Sequence, residues 1–574
     1  WEAPVALTAA WGELERAGVV AGNRFAHDLV HEAVLAGVSQ PVRTLLHRRL
    51  AAVLAAAGAP SALVAGHWLA GGRQREAMHA LVKAGEEAEA GYRLLEARDY
   101  YRRAADIAEL LDDQSTAFEA LARELELVLR DDTGRRAGAL LERLEAAVRT
   151  PAQAAWADVL AATRLNTSGR PRAAEERARA GLAALEGEGE VAEALRTRLL
   201  EALATALSEQ NRYDEALSAL QEVAKALEAG GAPAAVAANR LAMGAVLNRA
   251  WRNAEALEHQ RAARRAFVRA GDRYMTAVAD MHVGVSHESL GDHAAAEAAY
   301  LRAGEVLQGI PGAARFTYNN DVNLAYLYWG QERYAEALRK LVDAEEAVPA
   351  IQHSRAIVAR IAALVHRALG RWADFEREIA EALRRPDRTD PWRSHARVVW
   401  AEETALRGRV GEARDLFAQV ERDLGDDATP ILRGFLYLAQ ARALPGEEGL
   451  RAVERARRLV EDLGLPLLAE VELRYAGLLL AAGHGREALA AADRALESDA
   501  SQPLLGQRAE LWFVRYRALR ELARRGAEEA LDAARRHVLE VAERHVPAEM
   551  RAAFLGENPL NAAILGEARA TGPR

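Results

Sequence analysis

The chain has no cysteine in 574 residues, which excludes disulfides, thiolate metal sites and cysteine nucleophiles and fits a cytoplasmic location. Lysine is almost missing. Lys83, Lys225 and Lys340 are the only examples, and arginine supplies the remaining positive charge, a bias read as codon usage of a GC-rich genome rather than as an arginine-specific surface. Aromatic residues make up only 6%. The longest apolar stretch, Leu50 to Leu69, is alanine-rich and broken by Gly58 and Pro60, so it does not read as a membrane span, and no signal peptide is visible. A net charge of −9 provides no broad basic surface, so direct nucleic-acid binding by this segment is not expected. No Gly-x-x-x-x-Gly-Lys-Ser/Thr loop occurs, so neither ATP hydrolysis nor a bound cofactor is expected of this chain. It opens on Trp1 rather than methionine, which reads as a fragment of something longer.

Half of the residues are hydrophobic, and Ala, Leu, Glu and Arg, all strong helix formers, dominate; the expected class is all-α. Small residues then recur with a period of about forty. Ala162, Ala204, Gly244, Gly284 and Ala325 form one series, and Ala174, Ala216, Ala256, Ala296 and Ala337 a second, twelve positions later. A small residue in each of two apolar helical patterns lets two antiparallel helices cross closely, so the unit is a helical hairpin and the array a solenoid. Turn signals recur at Gly134, Gly169, Asn211, Trp251, Gly291, Gly330, Gly370, Gly408, Gly446, Gly483 and Gly526, giving roughly eleven hairpins.

The first residues follow a different pattern. Ala6 to Ala17 reads as a helix, Val19-Val20 and Arg24-Phe25 as short strands around Ala21-Gly22-Asn23, and His27 to Ala36 as a second helix. This is the back half of a winged helix, followed by a helix from Val42 to Ala57. The expected organisation is therefore a partial winged helix and arm over residues 1–58, a linking hairpin over 59–90, a superhelix over 91–545, and a C-terminal cap and tail over 546–574.

Leu324, Ala325, Tyr328, Tyr334, Ala337, Leu341, Ala344 and Pro349 fall at the spacing of the tetratricopeptide (TPR) consensus, which this stretch closely resembles. The longer period, about forty rather than 34, is similar to the superhelical repeats in sensor regions of bacterial ATPase regulators. The head carries a second resemblance. Leu14 to Val20, Arg24 to Val34 and Leu46 to Ala51 are similar to the winged-helix end and following arm of STAND-class signalling ATPases, which include AfsR-like and MalT-like transcription activators. Ala26-His27-Asp28 resembles the Met-His-Asp word of that class, with alanine in place of methionine. The resemblance implies that His27 contacts the phosphate of a nucleotide, ATP or ADP, held by an ATPase domain upstream. The residue-level alternative for His27 is a partly buried helix-start histidine bonded to backbone. Val546 to Leu555, with Asn558-Pro559 and Asn561, resembles the closing segment of the same regulators; no LuxR-type helix pair follows, so a DNA-binding module of the parent is expected N-terminally.

Other constellations read as bland. His27 and His31 share a helix face, but His287-Glu288 and His293 have the wrong spacing for a zinc protease. Asp112-Asp113, Asp131-Asp132 and Asp426-Asp427 read as turn and helix-cap residues. No catalytic constellation stands out, and the chain reads as a non-enzyme.

By the TPR resemblance the first helix of each hairpin lines the concave side. The register nominates Arg198, Glu201, Asn248, Glu288, Asn319, Tyr326, Trp329, Arg360, Arg367, His395 and Glu402 as a partner- or ligand-binding groove, with arginines for carboxylate or phosphate, amides for polar groups and aromatics for apolar area. Phe316, Tyr318, Tyr326, Tyr328 and Trp329 cluster there, either as core packing or as a binding patch. Asn319-Asn320 stands out because mid-helix asparagine lowers helix propensity without helping a core. Two functions remain open: the sensor of a STAND-type transcriptional regulator, binding a protein, peptide or small-molecule effector and docking on its ATPase, or a constitutive protein-interaction scaffold.

Overall fold

The computed structural model describes residues 12–17, 20–21, 24–25, 37–91, 93–129, 135–185, 189–310, 313–347, 354–384, 391–425, 430–464, 467–499 and 506–571. His27, and with it the expected helix from His27 to Ala36, lies outside these residues. So do Gly134, Asp131-Asp132, Pro349 and Asp426-Asp427.

After the short strands β1 (Val20–Ala21) and β2 (Arg24–Phe25), the described elements are helices: α1 (Gln40–Ala56), α2 (Ser61–Ala70), α3 (Gln74–Ala90), α4 (Leu94–Leu110), α5 (Gln114–Val128), α6 (Arg135–Ala146), α7 (Pro151–Thr167), α8 (Pro171–Ala184), α9 (Glu190–Glu209), α10 (Tyr213–Ala229), α11 (Pro233–Arg249), α12 (Asn253–Ala270), α13 (Arg273–Ser289), α14 (His293–Leu307), α15 (Ala314–Gly330), α16 (Tyr334–Ala347), α17 (Ser354–Ala368), α18 (Trp372–Leu383), α19 (Pro391–Leu406), α20 (Val410–Leu424), α21 (Pro430–Ala443), α22 (Gly446–Leu463), α23 (Leu468–Ala481), α24 (Gly485–Asp499), α25 (Arg508–Glu521), α26 (Ala527–Arg544), α27 (Arg551–Gly556) and α28 (Pro559–Thr571). The fold is an all-α array of TPR-like hairpins. None of the described helices is long and apolar enough to cross a membrane.

The chain divides into two compact units, Trp1–Leu160 and Ala161–Arg574. In the first, β1 and β2 pair antiparallel, Val20 opposite Phe25 and Ala21 opposite Arg24. The expected hairpin is present, with its first strand described over Val20–Ala21. The start of α2 is tied to α3 by Glu87, which accepts from the Ser61 hydroxyl (2.6 Å) and amide (3.1 Å). Leu121, Leu125 and Leu144 form a core with Phe118, whose ring meets Trp156 edge-on at 5.8 Å. Asp113 caps α5 as expected, accepting from the Thr116 amide at 3.1 Å.

In the second unit the odd-numbered helix of each hairpin packs against the even-numbered helix that follows it, and successive odd-numbered helices from α11 to α25 touch one another directly. Contact along one edge of a stack of hairpins curls it toward that edge, so the odd helices form the inner face. The small-residue series lies at the crossings. Ala204, Ala216, Ala256, Ala296, Ala325 and Ala337 are all essentially inaccessible, and the spacing of twelve continues at Ala401 with Ala413, Ala476 with Ala488 and Ala518 with Ala530, all buried as well.

The turns inside the hairpins need a left-handed residue to end the first helix. Gly169, Asn211, Trp251, Gly291, Gly370, Gly408 and Gly483 supply it. Two turns differ from expectation. Gly330 is the last residue of α15 and the left-handed position falls on Glu332 (φ 59°), while at the α25 end it falls on Ala523 (φ 48°) ahead of Gly526.

Candidate functional site

The inner face carries polar side chains at one position per hairpin, so each reaches the corresponding residue of the neighbouring inner helix. Arg367 on α17 donates from Nη2 to Glu402 on α19 at 2.6 Å, and Arg442 on α21 donates to the same carboxylate at 3.1 Å and to Glu510 on α25 at 3.2 Å. Arg474 on α23 holds Glu510 with two bonds, of 2.6 and 3.2 Å. The result is a charge ladder across α17, α19, α21, α23 and α25, linked in the order Arg367, Glu402, Arg442, Glu510, Arg474, with Arg442 reaching past α23 to Glu510. Burial by itself would raise the Glu402 carboxyl, but Arg367 and Arg442 beside it hold it down to about 2. Glu510 is likewise held at about 2 by Arg442 and Arg474 against its burial. Both glutamates are therefore anions at any physiological pH.

Seven residues before the first row in each helix, at Arg360 and His395, a second row runs beside it. The Arg360 guanidinium stands 5.5 Å from the Tyr326 ring centre, and its Nη1 lies 3.1 Å from His395 Nδ1. His395 in turn meets Phe435 edge-on at 4.9 Å. Burial, with Arg360 adding to it, depresses the His395 imidazole well below its usual range, so it is neutral and accepts from the arginine. Burial pushes the Tyr326 hydroxyl up to about 12.

Beside the charge ladder lies a cavity of about 940 Å³. The C-terminal halves of α15, α17, α19 and α21, the middle and end of α23 and the N-terminal half of α25 make one wall, and α26 to α28 make the other. Trp329, Trp372, Leu444, Leu473 and Phe554 supply apolar surface, and Arg367, Arg442, Arg474 and Glu510 border it as well. The C-terminal cap reaches this position by closing back on the middle of the array. His537 pairs with Glu332, Ala335 N donates to His545 O at 2.9 Å, and Asn558 Nδ2 donates to Ala368 O at 2.8 Å. Gly370 is required at this seam by its φ of +71° and because a Cβ would stand 2.8 Å from Ala553 O and Asn558 N.

Of the residues nominated by the sequence, Tyr326, Trp329, Arg360, Arg367, His395 and Glu402 come together as one strip, with the Tyr326 and Trp329 rings 5.3 Å apart; Trp329 and Arg367 line the cavity itself. Glu288 accepts the Tyr300 hydroxyl proton at 2.7 Å, and burial raises its carboxyl to about 7. Asn248 Oδ1 lies 2.8 Å from the Ser286 hydroxyl. Arg198 and Glu201 sit on α9 and Asn319 is half-buried on α15; these three do not line the cavity.

The Asn319-Asn320 pair divides. Asn320 is buried and its Nδ2 donates to Tyr300 O at 3.0 Å, tying α15 to the preceding outer helix. Asn239 does the same to Leu220 O at 3.0 Å. The aromatic cluster divides too: Tyr318 and Tyr328 are core, Phe316 packs edge-on against Tyr274 at 5.7 Å, and only Tyr326 and Trp329 reach the inner strip.

Arg442, Arg474 and Glu510 are not among the residues nominated from the sequence, although the same register reaches them. Glu402 follows Arg367 by 35 residues, Arg442 follows Glu402 by 40, and Glu510 follows Arg474 by 36. Among the described residues no group of three potential metal ligands converges.

No protein-family model matches the chain, and no curated protein matches it in sequence. Solved structures do. A Rap protein complexed with competence and sporulation factor is similar at 12% identity over 68% of this chain and 99% of that one, with a TM-score of 0.44. The Cut9-Hcn1 hetero-tetramer of the APC/C gives 12% identity over 86% and 96%, TM-score 0.42, and the apo form of the quorum sensor NprR from B. thuringiensis 13% over 68% and 99%, TM-score 0.37.

Proposed function

We propose that the second unit is a sensor that binds a protein, peptide or small-molecule effector on the inner face of its curved array, at the cavity between the charge ladder and the C-terminal cap. The observation that carries this reading is the cavity itself. It is concave, walled by aromatic and aliphatic side chains, and provided with a few fixed charges, which is the general make-up of a ligand site. The charges are already paired with one another, so they recognise and orient rather than act as acid, base or nucleophile; the role is binding, not catalysis.

In the fuller form of the proposal this binding belongs to a cytoplasmic STAND-type transcriptional regulator. The words Leu14 to Val20 and Arg24 to Val34, and the β1–β2 hairpin between them, support a winged-helix end over residues 1–58. On this reading His27 faces a nucleotide held by an upstream ATPase, and DNA contacts belong to another domain. The effector works by differential affinity for the closed and open arrangements of sensor and ATPase.

Gly477 provides the test. It lines the cavity and a Cβ there meets nothing within 4 Å, so Gly477→Trp sends its indole into the cavity with no clash at the Cβ. Effector candidates, screened as peptides and small metabolites, that raise the melting temperature of the native chain should fail to do so with Gly477→Trp, whose own melting temperature is unchanged or higher. Ligands that stabilise both proteins equally would remove the cavity as the site.

A further inference from the structure

Three arginines and two glutamates make the ladder, and their bond lengths are unequal. Glu402 is held at 2.6 Å by Arg367, and Glu510 at 2.6 Å by Arg474 in a two-bond grip. Arg442 touches the same two acids only at 3.1 and 3.2 Å. Each acid thus has a closer partner, and Arg442 shares what they leave. The other acids nearby are also engaged: Glu403 accepts from Arg407 at 2.9 Å, Glu376 pairs with Arg407, Glu332 pairs with His537, and Glu470 accepts from Gln507 at 3.0 Å. Arg442 is also the most open of the three, its side chain 29% exposed against 14% for Arg367 and 4% for Arg474.

We infer that the cavity takes an organic carboxylate, a ligand with one carboxyl group on an apolar body, and that Arg442 is the group that receives it. The inference rests on the cavity reading above. A carboxylate arriving at Arg442 can swing the guanidinium off its two long bonds without orphaning either glutamate, because Arg367 and Arg474 remain in place. A cationic ligand has no such route at the ladder, since to reach Glu402 or Glu510 it must break a 2.6 Å bond to an arginine, and Glu470, held by the neutral Gln507, does not line the cavity. The guanidinium offers a planar two-point match to a carboxylate, and Leu444, Leu473, Trp329 and Phe554 supply the surface for the apolar body. A free fatty acid and the C-terminus of a hydrophobic peptide share this chemistry.

Calorimetry on the full chain with matched pairs tests it: octanoate against octanamide, and an N-acetylated leucyl-phenylalanyl-leucine as free acid against its C-terminal amide. The acid of at least one pair should bind about tenfold or more tightly than its amide, as expected for a charged hydrogen-bond pair, and which pair discriminates identifies the source. Arg442→Gln should abolish the discrimination by weakening the acid far more than the amide; should Arg442→Gln not fold, Arg442→Lys, which keeps the charge but loses the planar fork, should reduce it. Equal binding of acid and amide, discrimination that survives Arg442→Gln or, if that variant does not fold, survives undiminished in Arg442→Lys, or no binding by either acid at millimolar concentration overturns the inference. Gly477→Trp separates the two claims. Loss of acid and amide binding together in that variant, without discrimination in the native chain, leaves the cavity standing and removes only the carboxylate; acid binding that persists in it removes the cavity as well.

Discussion

The ring of Tyr300 lies so close to Gly284 that a Cβ on the glycine would stand 2.5 Å from the ring's Cε1. Tyr101 and Gly85 repeat the relationship at the same 2.5 Å in the other unit, and each tyrosine hydroxyl donates to a glutamate four residues beyond its glycine, Glu288 and Glu89. The crossing of a hairpin is thus fixed by a glycine, a ring laid over it and a carboxyl that receives the ring's hydroxyl.

Gly284→Ala should therefore destabilise the second unit. Overpacking costs about 1–3 kcal/mol, and the gain from replacing a helical glycine, about 1 kcal/mol, offsets only part of it. At Gly244 the nearest atom is Cγ of the Gln260 side chain, at 2.8 Å, so Gly244→Ala should cost less. Urea denaturation of the two variants checks the order.

Glu288 gives a pH signature. Its carboxyl is raised by burial from 4.5 to about 7, opposed by the bond from Tyr300, so the fold favours the protonated form. The associated stability is complete below about pH 4.5 and lost as pH rises through about 7. Glu288→Gln, which can still accept from Tyr300, should remove that loss, on the order of 1–3 kcal/mol. Denaturation midpoints of both proteins should converge near pH 4.5, separate as pH rises to about 7 and stay apart by a constant amount from there to pH 8.

Glu402 behaves oppositely. Its carboxyl is held at about 2 by Arg367 and Arg442 against the effect of burial, so its contribution is complete above about pH 4.5 and lost as pH falls toward 2. Glu402→Gln leaves two arginines short of a charge partner. It should cost about 3 kcal/mol at pH 7, the low end for a broken buried pair because Glu403 and Glu510 remain. The difference from the native chain should be constant from pH 5 to 8 and shrink below 4.5.

At the seam, Gly370→Ala places a methyl group against Ala553 O and Asn558 N and forces an unfavourable φ. The expected result is release of α27 and α28 with the inner array intact. Hydrogen exchange of residues 551–571 should quicken, while exchange within α13 and α14 stays as it was.

The hairpins were legible in the sequence because the spacing of twelve between Gly284 and Ala296, or Ala325 and Ala337, is a property of one hairpin and repeats in each. The inner strip from Tyr326 to Glu402 follows from that register together with the TPR resemblance, which puts the first helix of each hairpin on the concave side. What the sequence did not disclose is the seam. Glu332 and His537 stand 205 residues apart, and they meet because small rotations accumulate from hairpin to hairpin, a sum that no local window contains. Asn320 shows a smaller gap of the same kind. Adjacent to Asn319 in the chain, it faces the preceding outer helix instead of the concavity, and only the rotation of α15 about its own axis decides which of the two is structural. Gly330 and Glu332 show another, since Gly330 completes α15 and the turn itself accepts a left-handed glutamate.

Hydrogen exchange of the native chain, with and without the first ligand found to raise its melting temperature, tests the inner-face site most directly. Protection should concentrate in the C-terminal halves of α17 and α21, in α23 from Leu473 to Ala481, in the N-terminal half of α25 and in α26, the segments that wall the cavity. Protection confined to the outer helices, such as α20 and α22, with those inner segments unchanged, would contradict it.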